Sequence, residues 1–223
     1  MRFGKVVSLI IPTLNEEDNL PTVLGMIPEW VDEIIVVDGH SKDKTVEIAQ
    51  QHGCTVIFDD KGKGSAVILG VQKALGGYII MMDADLSHRV SEFGLLIEGL
   101  DAGYDFCFGS RFIQGGGSDD MPLHRILGNK IFILTVNFIW GSRFTDLCYG
   151  YRSFRKDAFE KLRLKSHGFS IETEMSIKAL KKNMRILEIP SFEKARSAGV
   201  GKLRTIRDGF IITKKIISEW LSD

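Results

Sequence analysis

The chain has 223 residues, an apolar fraction of 44%, and 29 basic against 29 acidic side chains. Such a length and apolarity suit one soluble globular domain, and the charge balance excludes the global basic field of a nucleic-acid binder. Cys54, Cys107 and Cys148 are scattered and odd in number, which excludes a disulfide framework and a zinc ribbon; they read as reduced, mostly buried thiols of a cytosolic protein.

The apolar run after Arg2 and Lys5 is stopped by Pro12 and the acids at 16–18, too early for a signal peptide. Within it, "VVSLIIP" (6–12) is short and β-branched, a buried strand. A helix follows from near Asn19, with Leu20, Val23, Leu24 and Ile27 on one face and Pro21 tolerated in its first turn. "EIIVVD" (33–38) is a second strand, and Ser41 or Asp43 is placed to cap the next helix. "CTVIFD" (54–59) is a third strand, 62–75 a helix, "YIIMMD" (78–83) a fourth strand, 93–100 a helix and "YDFCFG" (104–109) a fifth strand.

The second half is less regular. "IQGGGSDDMP" (113–122) reads as a mobile Gly-rich loop without packed character. Residues 123–140 are helical and strongly apolar; the apolar run within them, "IFILTVNFIW" (131–140), is too short to span a bilayer and suits a core or an interfacial helix. "TDLCYGYRSFRKDAF" (145–159) is extended before turning helical at Asp157; 171–182 is helical and "MRILEIP" (184–190) a strand. Residues 205–221 form an amphipathic helix with Ile206, Phe210, Ile217 and Trp220 in one stripe. Between Lys194 and Lys215 seven basic residues face only Asp208, which points to an anionic partner.

Strands alternating with helices imply an α/β fold: a mainly parallel sheet covered on both faces, with ligands at the strand carboxyl ends. The acids gather there: Asp38, Asp59, Asp60, Asp83 and Asp85. Residues two apart in an extended segment point the same way, so Asp83 and Asp85 can face one point while Ala84 faces away. Like charges so placed call for a cation, and hard oxygen ligands suit Mg²⁺ or Mn²⁺.

Four motifs at the strand ends, "IPTLNEEDNL", "VVDGHSKDKT", "KGKGSAV" and "DADLSH", occur in an order that resembles the nucleotide-sugar domain of family 2 inverting glycosyltransferases with the Rossmann-like GT-A fold. "GSRF", "TDLCYGYRSFRK", "FSIETEM" and "AGVGKL" are further similar to polyprenyl-phosphate sugar transferases of the dolichyl-phosphate mannose synthase kind. The resemblance implies one glycosyltransferase domain over 1–223, with a nucleotide-sugar half to about 112 and an acceptor half beyond. It implies a nucleotide cradle of Pro12, Thr13, Leu14, Asn15 and Glu16, a base contact from Asp38, and nucleotide contacts from Lys63, Asp83 and Ala84. Asp83 and Asp85 would hold the metal, with Ser87 where some members supply another ligand. Arg111, Arg125, Arg196 and Lys202 match phosphate-contact positions. Asp146 matches the position of the base or acceptor-side carboxylate and, with Asp85, is the catalytic expectation.

The implied reaction moves a hexose, mannose or glucose, from a GDP- or UDP-sugar to a polyprenyl phosphate, with transfer to a sugar hydroxyl or other soluble acceptor, or a non-catalytic nucleotide-sugar module, as alternatives. The intact Asp83, Asp85 and Asp146 argue against the last. No Gly-x-Gly-x-x-Gly follows the first strand, which excludes a dinucleotide dehydrogenase. Glu172 and Glu174 read as acids that stabilise a helix N-terminus, and Arg152 as the partner of an internal acid. Val200-Gly201 stands where relatives have Glu-Ser, and Arg89 where they have Pro after His88. The expected location is the cytoplasm, with peripheral contact to a membrane face.

Overall fold

The computed structural model describes residues 4–119, 121–197 and 205–222. Its strands are β1 (Val7–Thr13), β2 (Glu33–Asp38), β3 (Thr55–Phe58), β4 (Tyr78–Met81), β5 (Phe106–Ser110), β6 (Gly117–Ser118), β7 (Arg152–Arg155), β8 (Ile186–Pro190) and β9 (Phe192–Glu193). The helices are α1 (Leu20–Met26), α2 (Thr45–Gln51), α3 (Lys63–Lys73), α4 (Phe93–Asp101), α5 (Leu123–Trp140), α6 (Lys156–Leu162), α7 (Ile171–Lys181) and α8 (Thr205–Trp220).

Seven strands form one sheet in the order β3-β2-β1-β4-β7-β5-β8. All pairs are parallel except those of β7, which runs antiparallel to β4 and to β5. The apolar run of β1 has a simple cause. Ile10 packs into one core with α3, α5, α6, α7 and α8, while Leu9 and Ile11 pack into the other with α1, α2 and α4. A strand buried on both faces has no polar side to alternate with. Because β1 is flanked by β2 on one side and β4 on the other, the chain direction of travel reverses there, and a crevice opens at the carboxyl ends of β1 and β4.

Several local expectations change. The Gly-rich loop contains β6, whose residues pair with β9, so part of it is packed structure. Asp43, not Ser41, meets the start of α2: its Oδ1 accepts the Thr45 amide at 3.0 Å, whereas the Ser41 hydroxyl donates to Asp38 at 2.6 Å. Helix α5 is two-sided. Asn129, Ile133 and Val136 are buried, while Leu127, Ile131, Leu134 and Phe138, spaced four, three and four apart, stand out in solvent. In α8 the stripe of Ile206, Phe210, Ile217 and Trp220 is also exposed, and Ile212, Ile216 and Glu219 make the inner face. Among the described residues no helix is long and apolar enough to cross a membrane.

Candidate active site

A cleft of about 920 Å³ lies over the carboxyl ends of β1 and β4. Its walls come from the 12–16 loop, the start of α3, residues 83–88, the first turns of α5 and the 193–196 segment. Gly64 explains how α3 starts so close to the 166–168 turn. A Cβ there would lie 2.3 Å from the Ser166 carbonyl oxygen, so no other residue fits without moving backbone.

Each carboxylate of the Asp83/Asp85 pair already holds a side-chain cation. Lys63 Nζ lies 2.7 Å from Asp83 Oδ1 and 3.1 Å from Glu172 Oε1. Burial opposes the charge on Lys63, yet Asp83 and Glu172 outweigh it and raise its pKa. Burial likewise works against the Asp83 anion, but the Lys63 ammonium outweighs it and holds its pKa below the usual range. Arg196 Nη2 donates to Asp85 Oδ2 at 2.7 Å, and Nη1 reaches Glu16 at 3.4 Å. The other oxygen, Asp85 Oδ1, accepts the Ser87 hydroxyl at 2.6 Å and the Ser87 amide at 3.1 Å. Burial depresses the His88 pKa, and its Nδ1 accepts the Asp83 amide at 3.0 Å, as a neutral ring can.

The second charged cluster centres on Arg111 and Asp146. Asp146 has no exposed surface. Its Oδ2 accepts Arg111 Nε at 2.7 Å and the Arg111 amide at 3.3 Å. Its Oδ1 accepts Arg111 Nη2 at 3.0 Å, Asn129 Nδ2 at 2.7 Å and the Cys148 amide at 3.1 Å. Burial alone would raise its pKa, but Arg111 and Asn129 bring it below the ordinary carboxylate value. A carboxylate this saturated is a poor proton acceptor, so the expected base is not poised as one in this geometry. Arg111 is the group that reaches the cleft, its guanidinium 4.5 Å from the centre of the Tyr149 ring and 3.2 Å from Glu193.

Of the expected nucleotide cradle, Pro12, Thr13, Leu14, Glu16 and Ala84 line the cleft. Asn15 instead ties two loops together: it sits at φ 52°, its amide donates to Ser41 Oγ at 2.7 Å, and its Oδ1 accepts the Lys42 amide at 2.8 Å. Asp38 is fully buried and takes the Thr13 hydroxyl at 2.8 Å and the Ser41 amide at 2.7 Å, so its expected contact with a base is not prepared here. Lys63 is no solvated lysine but part of the buried ion cluster. Arg125 lines the cleft from α5 and Arg196 from the opposite wall. Lys202 and the 198–204 motif lie outside the described residues.

Two readings need correction. Glu172 and Glu174 do more than favour a helix N-terminus. Glu172 joins Lys63 in the cleft, and Glu174 pairs with Lys178 at 2.7 Å and with Lys215 at 3.4 Å. Among the described residues Arg152 donates to no acid. Its guanidinium donates to the carbonyls of Leu147, Tyr149 and Glu172 and to Ser176 Oγ, and lies 4.0 Å from the centre of the Phe108 ring. Sequence reasoning missed Glu193, Asn129 and Tyr149, because no local pattern joins them to Arg111; only the tertiary fold brings a helix, a loop and the short β9 to it.

No group of three or more His, Cys, Asp or Glu that could hold a metal occurs among the described residues. Yet two carboxylates on one cleft wall, each attracting a cation to about 2.7 Å, fit a Mg²⁺ or Mn²⁺ that takes its remaining oxygens from water and a substrate diphosphate.

The model of glycosyl transferase family 2 matches residues 8–163. The chain is 33% identical over 213 residues to the glycosyltransferase AglJ of Haloferax volcanii, covering 92% of this chain and 69% of that one. It is 36% identical to the dolichol-phosphate mannosyltransferase of Pyrococcus furiosus over 89% of this chain, and spans 59% of that relative's length. It is 30% identical to the polyprenol monophosphomannose synthase of Mycolicibacterium smegmatis, over 87% of this chain and 80% of that one. The fold is shared with glucosyl-3-phosphoglycerate synthase from Mycobacterium tuberculosis, with a TM-score of 0.75 at 19% identity over 98% of this chain and 80% of that one; that protein has also been crystallised with Mn²⁺, UDP and glucosyl-3-phosphoglycerate. Sheet topology, strand-end cleft and sequence therefore agree that the chain belongs to glycosyl transferase family 2, as a GT-A glycosyltransferase similar to the polyprenyl-phosphate sugar transferases.

Proposed function

We propose that this glycosyltransferase moves a hexose from a nucleoside diphosphate sugar to a polyprenyl phosphate, with a divalent metal held by Asp83 and Asp85. One observation carries the reading: the cleft brings a pair of carboxylates together with arginines from three separate segments, Arg111, Arg125 and Arg196. A site for a sugar alone needs no such charge, whereas two phosphorylated substrates need both signs. The names of the relatives supply the acceptor class, and the solved neighbours supply the association with UDP and Mn²⁺.

The residues then divide the work. Pro12, Thr13, Leu14 and Glu16 shape the nucleotide wall, and the halves before and after about residue 112 take donor and acceptor. When bound, the cation stabilises the charge that develops on the departing diphosphate. Arg111 and Arg125 present planar forks that suit phosphate oxygens. Asp146 holds the Arg111 guanidinium from behind through two parallel hydrogen bonds, as a positioning residue. No base is required, because a phosphate monoester with a second pKa near ~6 is largely dianionic at neutral pH and attacks as it stands. The buried and saturated state of Asp146 supports that acceptor over a sugar hydroxyl, which would need its proton removed.

The test is a donor and acceptor panel with labelled sugar nucleotides, Mn²⁺ or Mg²⁺, and extraction into organic solvent. Metal-dependent label in the organic phase supports the reading. Label that remains in water with a soluble phosphate acceptor would overturn the lipid part, and equal turnover in chelator would overturn the metal part.

A further inference from the structure

The Asp-x-Asp pair carries two cations of unequal standing. Lys63 is clamped between Asp83 and Glu172, and its side chain is only 12% exposed. Moving it would leave the buried Glu172 carboxylate and the part-exposed Asp83 without their shared cation. Arg196 is held differently. Among the described residues its one short contact is to Asp85 Oδ2 at 2.7 Å; the contact to Glu16 is 3.4 Å. Its side chain is 21% exposed, and it rides on a segment without regular secondary structure that lies against the carboxylate loop. Two backbone hydrogen bonds fasten that segment: the Lys194 amide donates to the Ser87 carbonyl at 2.9 Å, and the Ser197 amide to the Asp85 carbonyl at 3.4 Å.

We propose that Arg196 is a tethered counter-cation for Asp85, which a divalent metal arriving with the nucleotide displaces, so that donor loading frees the guanidinium and loosens residues 194–197. This rests on the donor reading above and adds an order to it. The physical reason is competition for one oxygen. A divalent ion brings twice the charge of a guanidinium to about 2.0–2.1 Å from the carboxylate oxygen, well inside hydrogen-bond distance. Apart from the long contact to Glu16 at 3.4 Å, a diphosphate gives the guanidinium a better partner, with which it can form two parallel bonds. Without nucleotide, metal entry leaves Arg196 on the long Glu16 contact beside a like charge; with nucleotide, the exchange trades one charge pair for two. Metal and nucleotide thus bind cooperatively, and a phosphate-reading arginine becomes available only after the donor is in place.

The experiment measures Mn²⁺ binding by the full chain, from the electron paramagnetic resonance signal of free Mn²⁺, with and without UDP or GDP. In the wild type, Mn²⁺ binds weakly alone and tightens with nucleotide. In Arg196→Met, which keeps length and removes charge, Mn²⁺ alone binds about tenfold more tightly, in line with loss of one charge-assisted competitor, and the nucleotide adds less. Arg196→Lys restores weak binding. Hydrogen exchange in the wild type shows the amides of Lys194 and Ser197 exchanging faster when Mn²⁺ and nucleotide are added together. Equal Mn²⁺ affinity of wild type and Arg196→Met, with nucleotide-dependent binding intact, overturns this proposal and leaves the donor reading standing. Absence of Mn²⁺ binding in both proteins, with UDP and with GDP, overturns both.

Discussion

At the scale of the residue, the informative side chains are those with every bond taken. Asp146 accepts five hydrogen bonds behind Arg111, two of them in the bidentate pair. Removing one partner of a buried pair strands the other, at about 3–5 kcal/mol. Asp146→Ala should therefore lower unfolding stability in urea by that order, and reduce turnover without removing the acid limb of the pH–rate profile. A variant of full stability whose acid limb has vanished would restore Asp146 as the base. Gly150 tests the neighbouring cluster. A Cβ there would meet Lys63 Nζ at 2.6 Å and Asp83 Oδ2 at 3.4 Å. Gly150→Ala should cost about 1–3 kcal/mol through overpacking and weaken nucleotide–Mn²⁺ binding in a calorimetric titration. Unchanged nucleotide affinity would detach the Lys63–Asp83 contact from the site.

At the scale of the element, α7 shows how one helix serves two purposes. Glu172 looks into the cleft, and Glu174, two residues on and therefore on a different side of the helix, holds α7 to its surroundings. Burial would raise the Glu174 pKa, but Lys178, the Ser166 and Lys165 amides and Lys215 bring it from 4.5 to about 2. Such a depressed carboxylate adds stability that is complete above the unfolded value near 4.5 and lost as pH falls towards about 2. The gain amounts to at most about 3 kcal/mol. The stability gap between wild type and Glu174→Gln should accordingly narrow between pH 5 and pH 3 in urea titrations. A gap that stays constant over that interval would remove the ionised Glu174 from the account. The basic run at 194–215 is partly explained here as well: Lys215 and Arg196 are engaged within the protein, so the excess offered to an outside anion is smaller than the residue count implies.

At the scale of the whole molecule, the sheet gathers charge at one end and α5 shows apolar side chains outside. Leu134 is 69% and Phe138 90% exposed, on the face opposite the packed Ile133 and Val136. A continuous row of this kind marks a binding surface. The proposed lipid-linked acceptor gives it a partner, since the phosphate must enter the cleft while its polyprenyl chain remains in a bilayer. Leu134→Ser with Phe138→Ser should bind vesicles of anionic phospholipid roughly 100-fold more weakly than wild type, with unfolding stability unchanged. Equal sedimentation with vesicles would end the membrane role of this face, and a wild-type dimer that the double variant dissociates would assign it to a second copy.

The sequence by itself determined the parallel α/β architecture, the span of α5 and the gathering of acids at strand ends. Those features rest on local periodicity and on the geometry of a strand, which neighbouring residues are enough to specify. It also carried the family motifs, and so Asp83, Asp85 and Arg111. Only the tertiary structure decided what each charge faces. Arg111 meets Asp146 and Tyr149 from one distant segment and Glu193 from another, Arg196 reaches back to Asp85, and Arg152 donates to carbonyls rather than acids. Strand order sets these encounters, and an antiparallel β7 inserted between β4 and β5 leaves no periodic trace in the chain. Charge state and catalytic role follow from the partner, and the partner is a property of the fold.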